Sequence, residues 1–128
     1  MQLAVNLARA HGARLTALYV IDPYPYLGVG ESNPVGFQDY MRAAQEHAAT
    51  SHAKVSDRCN TSGPAVTLQA RLVEDVGAAN GIIETAKAEG ADLIVVGSHG
   101  RSGVVRMVLE SVAARVVAQA PVPVLVAR

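Results

Sequence analysis

Ala91-Asp92-Leu93-Ile94-Val95-Val96-Gly97-Ser98-His99-Gly100-Arg101-Ser102-Gly103 decides how the rest of the chain is read. Leu93 to Val96 is a continuous apolar run, short and closed by a glycine turn. Such a run is the mark of a parallel strand covered on both faces. The glycines behind it let the backbone turn tightly and bring its N–H groups close to an anion. Further on, Ser111 opens the apolar stretch 112–119, and a hydroxyl with free N–H groups at a helix N-terminus suits a phosphate. A tight turn with no ligand is the plain alternative for the same glycines.

Working outward, Asp75 is a candidate N-cap for a helix carrying Val76, Ala79, Ile82, Ile83 and Ala86, which Gly90 ends. Before it, Val66 to Val73 alternates. Val66, Leu68, Ala70 and Leu72 face one way, while Thr67, Gln69 and Arg71 face the other, which predicts a strand near a sheet edge with one partly wet face. Phe37, Tyr40, Met41, Ala44, Ala48 and Val55 recur at helical intervals until residues 60–64 break the pattern. Prolines and glycines over 24–36 predict a long loop, either a flap or a contact surface. Leu15 to Ile21 is a strand. Leu3, Leu7 and the alanines at 4, 8 and 10 make a first helix that Gly12 stops. At the other end, Val105, Val108, Leu109, Val112, Val116 and Val117 mark a helix stopped by Pro121, and Val122 to Ala127 is a last strand. Helix and strand alternate throughout. The chain is therefore α/β, an open parallel sheet with helices on both faces and right-handed crossovers, and ligands belong beyond the strand C-termini.

The 128 residues fit one domain spanning 1–128, and 50% of them are hydrophobic, enough for a core. Acidic and basic side chains balance at 11 each, so there is no electrostatic reason to seek nucleic acid or an anionic membrane. Cys59 is the only cysteine, which excludes a disulfide framework and suits a reducing cytoplasm. No apolar run approaches the roughly 20 residues of a bilayer span. Asn6, Arg9 and His11 interrupt any signal-peptide pattern.

The sequence resembles the universal stress protein family over nearly its whole length. The resemblance rests on the 91–103 stretch, on Ser111-Val112-Ala113, on Pro121-Val122-Pro123-Val124-Leu125-Val126 and on Leu18-Tyr19-Val20-Ile21-Asp22. It implies a Rossmann-like or flavodoxin-like domain, usually a homodimer, involved in stress adaptation. One branch of the family binds ATP through Gly, two residues, Gly, nine residues, then Gly and Ser or Thr. Gly97 and Gly100 match this motif, Glu110 replaces its third glycine, and Ser111 keeps its hydroxyl. By resemblance, Gly97, His99, Gly100, Ser111 and Val112 would line the phosphate and ribose side, and Val20 would meet the adenine through its backbone. Family members also begin with a strand ending in an Asp, in the middle of the sheet, which is not found before the first helix here. Four strands are therefore expected instead of five. The strands at 15–21 and 92–97 are expected to close up and pair directly, a segment from another chain being the alternative.

The resemblance and the residues together lead to a homodimeric stress-response regulatory protein with a degenerate adenine-nucleotide loop. ATP or AMP, with Mg²⁺, would bind weakly or not at all because of Glu110 and the missing strand. Val122, Val124, Leu125 and Val126 would form the dimer edge, since an apolar edge strand left bare invites association. A slow ATP hydrolase and a purely protein-interaction dimer with an empty cleft are the competing readings. No catalytic residue is assigned, because His99 has no nucleophile or carboxylate partner in sequence. No metal site is assigned either. His47 and His52 lack the i, i+4 spacing of a shared metal face and read as exposed. Cys59 reads as a surface or semi-buried thiol. Tyr24 and Tyr26 could stack on a base or pack on the domain. Arg101 and Arg106 could meet phosphate, and Arg106 could equally pair with Glu110.

Overall fold

The computed structural model describes residues 2–21, 34–61, 63–74, 77–97 and 103–127, apart from the side chains of 34, 35 and 103–110. The long loop, Tyr24, Tyr26, Asp75, Val76 and the stretch from Ser98 to Ser102 lie outside the described residues. The elements run α1 (Gln2–His11), β1 (Leu15–Ile21), α2 (Pro34–Cys59), β2 (Leu68–Glu74), α3 (Ala78–Glu89), β3 (Ile94–Gly97), α4 (Gly103–Gln119) and β4 (Val124–Ala127). This is the alternating helix–strand order read from the sequence, with four strands and parallel pairing. The chain divides into two compact units, Met1–Gly77 and Ala78–Arg128.

In the first unit, Ala4, Val5 and Ala8 fall on one side of α1 at helical spacing and are buried. Val5 and Ala8 join Val55 and Cys59 of α2 and Val66 in one core, with Leu15, Ala17 and Leu68 packed against it. Cys59 is thus a core residue, 1% exposed, where the sequence suggested a thiol near the surface. It sits at a helix end, but α1 covers that end. The alternation expected of β2 also holds only at its start. Val66 is buried and Leu68 half-buried, but Ala70 is exposed and Leu72 is 43% exposed, while Arg71 is half-buried. The core lies at the Leu68 end of the strand and does not extend along it.

β1 and β2 pair in register from Leu15↔Leu68 to Ile21↔Glu74. The Leu15 N–H donates to the Thr67 carbonyl at 2.9 Å, which sets the phase of the ladder. In a parallel pair, alternate residues turn both backbone groups toward the partner. Leu15, Ala17, Tyr19 and Ile21 therefore face β2, and the backbone groups of Thr16, Leu18 and Val20 point to the other edge. Amide hydrogen exchange should show this directly. Ala17, Tyr19 and Ile21 should exchange roughly tenfold or more slowly than Thr16, Leu18 and Val20. Uniform protection along β1 would mean that its second edge is paired in solution.

The second unit has its own core of Ala79, Ala86, Ile94, Val96, Ala113 and Val116. Gly90 closes α3 with φ +64, a left-handed conformation that glycine adopts without strain. The Ala91 N–H reaches the Ala86 carbonyl at 2.9 Å and the Gly90 N–H reaches Lys87 at 3.2 Å, a paired helix-end motif. β3 pairs with β4 from Ile94↔Val124 to Gly97↔Ala127, and the Ile94 N–H donates to the Pro123 carbonyl at 3.0 Å. By the same phase argument, Ile94 and Val96 face β4, while Val95 and Gly97 face away. On β4, Leu125 and Ala127 face β3, and Val124 and Val126 turn their backbone groups outward.

Among the described residues, β1 pairs only with β2, and β3 only with β4. The direct pairing of strand 15–21 with strand 92–97 expected from the sequence is therefore absent. Each pair closes on its own core instead, one around Val5, Val55 and Cys59, the other around Ile94, Val96 and Val116.

Candidate functional site

β3 ends at Gly97, which is exposed and has nothing within 4 Å of the place a Cβ would take. α4 begins at Gly103. The glycine loop read from the sequence therefore joins a strand C-terminus to a helix N-terminus, the arrangement that presents backbone N–H groups to an anion. His99, Gly100 and Arg101 lie outside the described residues. The first N–H groups of α4 have no partner within the helix, and this 17-residue helix directs the positive end of its dipole to the loop.

Ser111 does not open that helix. It stands eight residues inside α4, about 12 Å along the axis from Gly103 at 1.5 Å per residue. Its N–H, like that of Glu110, belongs to the helix interior, where amides bond four residues back. The Ser111 side chain is exposed. Val112, one residue on, is half-buried against the core. The two neighbours thus serve different surroundings. The side chains of Arg106 and Glu110 lie outside what the structure describes. In the first unit, Val20 is half-buried, and its backbone N–H and C=O are not used in the β1–β2 ladder. Those are the groups through which a purine edge can be read.

Of the other candidates, His47 is exposed, as expected. His52 is half-buried, and its Nε2 is enclosed without a hydrogen-bond partner. Among the described residues, no three His, Cys, Asp or Glu side chains gather to hold a metal. Val122 precedes β4, and Val122 and Val124 both pack on the core; within β4 the backbone groups of Val124 and Val126 turn away from β3. The residue that sequence reading missed is Arg9. Its four backbone partners lie 49 to 55 residues further along the chain, beyond the reach of any local pattern.

Compared with known families, residues 1–128 match the universal stress protein family. The chain belongs to that family. A universal stress protein of Methanocaldococcus jannaschii is 34% identical over 125 residues, covering 98% of this chain and 71% of that protein. Among solved structures, the universal stress protein UspA from Lactobacillus plantarum superposes with a TM-score of 0.76 at 32% identity, covering 98% of this chain and 85% of that one. A universal stress protein in complex with cAMP superposes with a TM-score of 0.57 at 23% identity, covering 99% of this chain and 83% of that one. At that identity the likeness shows the shared α/β fold. The universal stress protein assignment agrees with the resemblance carried by residues 91–103. Among the described residues, no helix of this universal stress protein is long and apolar enough to cross a membrane.

Proposed function

We propose that this universal stress protein is a cytoplasmic, homodimeric regulatory module that binds an adenine nucleotide through the loop between β3 and α4 and disfavours the triphosphate. The observation that carries this reading is the unbroken course of α4 from Gly103 through Ser111. Glycine at the position of Glu110 would weaken the helix there and make the following N–H groups easier to free for phosphate. Glutamate is a good helix former and glycine a poor one, by about 0.5–1 kcal/mol. With Glu110 in place, the helix runs through, and the N–H groups of 110 and 111 are spent inside it.

The free N–H groups of the second unit then lie at the first turn of α4, next to Gly97 and the loop. A single helix N-terminus suits one phosphate. Backbone N–H groups at a helix N-terminus suit an anion rather than a metal. Mg²⁺ would arrive with a triphosphate, whose further charges an acidic residue at 110 disfavours and a glycine does not. The relative in complex with cAMP binds a nucleotide with a single phosphate, which is in line with this preference. The role proposed is one of binding and regulation.

Heating protein equilibrated with equal ATP and AMP, then chromatographing what it releases, tests the reading. AMP should predominate. Release of ATP in preference to AMP, or of no nucleotide, contradicts it.

A further inference from the structure

Asn60, not glycine, follows the last residue of α2, yet the last four carbonyls of that helix are all satisfied. The Asn60 side-chain amide donates to the Ser56 carbonyl at 3.0 Å, and the Asn60 N–H donates to Asp57 at 3.1 Å. The Val66 N–H donates to Cys59 at 3.0 Å. The remaining carbonyl, Arg58, is served by Arg9 of α1, whose Nη2 lies at 3.2 Å. The same Nη2 reaches the Thr61 carbonyl at 2.9 Å and the Cys59 carbonyl at 3.5 Å, and Nε donates to Pro64 at 2.8 Å. One guanidinium thus gathers four backbone carbonyls at the negative end of a 26-residue helix.

A second observation points to the same place. Gly63 has φ +147, and a Cβ there would come within 3.0 Å of Arg9 Cδ and 3.1 Å of Nε. The turn is bare on the side where the arginine lies. By contrast, the apolar hold of α1 is thin. Ala4, Val5 and Ala8 are its buried residues, and ten residues are too few for a helix to persist alone. Val5 and Ala8 share their core with Cys59, which is 1% exposed.

We propose that the carbonyls of Arg58, Cys59, Thr61 and Pro64 form a guanidinium-binding cradle, filled in cis by Arg9, and that this tethered cation is the latch that keeps α1 docked over Cys59. Opening the latch lifts the helix that seals the thiol. The latch therefore sets how often Cys59 is reachable from solvent.

The chain's only cysteine reports on the latch without any added label. An aromatic disulfide reagent is attacked by the Cys59 thiolate, which forms a mixed disulfide and releases one coloured thiolate. In Arg9→Ala, labelling should be roughly tenfold or more faster than in the parent, since charged hydrogen bonds are lost. Low-millimolar guanidinium chloride should slow it back toward the parent rate, and sodium chloride of equal ionic strength should not. Arg9→Lys should label at an intermediate rate. An Arg9→Ala variant that labels like the parent, or that guanidinium slows no more than sodium does, overturns the proposal. If circular dichroism shows Arg9→Ala unfolded, Arg9→Lys and Gly63→Ala decide. Both should label faster than the parent, and parent-like rates in both overturn the latch.

Discussion

Val124→Pro should weaken the proposed homodimer roughly thirtyfold while leaving the fold of each protomer intact. The reason lies in the phase of the β3–β4 ladder. The Ile94 N–H bonds to the Pro123 carbonyl, so Leu125 and Ala127 face β3, and Val124 and Val126 offer their backbone groups outward. Proline at 124 removes an outward N–H and no ladder donor within the protomer. A twofold interface uses the same group from both copies, so two hydrogen bonds are lost together. At about 1 kcal/mol each, the loss is on the order of 2 kcal/mol, or roughly thirtyfold in the dissociation constant. Leu125 and Val126, 37% and 39% exposed, supply apolar surface along the same short strand. Leu125→Pro is the control. It removes a donor to β3 and should destabilise the protomer itself. Sedimentation equilibrium measures the constant. A parent chain that is monomeric at micromolar concentration, or a Val124→Pro dimer as tight as the parent, rejects the edge as the interface.

Glu110→Gly should raise affinity for ATP roughly tenfold and affinity for AMP by roughly threefold or less. Two effects act in the same direction. The first is the backbone: glycine at 110 makes the first turns of α4 about 0.5–1 kcal/mol easier to unwind, which releases the N–H groups around Ser111. The second is charge. A carboxylate about 5 Å from a phosphate charge costs on the order of 3 kcal/mol at an effective dielectric near 20, before salt and Mg²⁺ screen it. A triphosphate carries more charge to be penalised than a monophosphate, and a phosphate seated at the start of α4 stands about 10 Å along the axis from residue 110. Glu110→Gln separates the two effects. It keeps a good helix former and removes the charge, so it should recover the electrostatic part alone.

The element order was legible because each element carries its own local signal. Leu3, Leu7 and the alanines at 4, 8 and 10 repeat at helical spacing, although Val5 fills the core and Leu3 is 42% exposed. Leu93 to Val96 is an unbroken apolar run, although Leu93 is 43% exposed and only Ile94 and Val96 are buried. Gly90 stops a helix as its conformation requires. The apolar spacing from Val105 onward marked α4 to within two residues of its start at Gly103, but the place of Ser111 within it was not legible. Ser111 is a good N-cap by type, and Gly103, Val104 and Val105 are poor helix formers, so Ser111 read as a helix opening that the structure does not have. The helix runs back to Gly103 across Arg106, Met107, Leu109 and Glu110, residues of high helix propensity. The exposed end of β2 was hidden for another reason. Alternation tells which residues share a face, but not which of them the core covers, and Leu72 is 43% exposed. Cys59 and Arg9 are the same lesson at longer range. What buries the one and what the other binds are set by residues about fifty positions apart.

Titration calorimetry of ATP and AMP into the parent chain and into Glu110→Gly tests the central claim most directly. The account predicts that the parent binds AMP more tightly than ATP and that the glycine variant narrows or reverses that order. Equal ATP affinity in parent and variant, with ATP the tighter ligand in both, would contradict it.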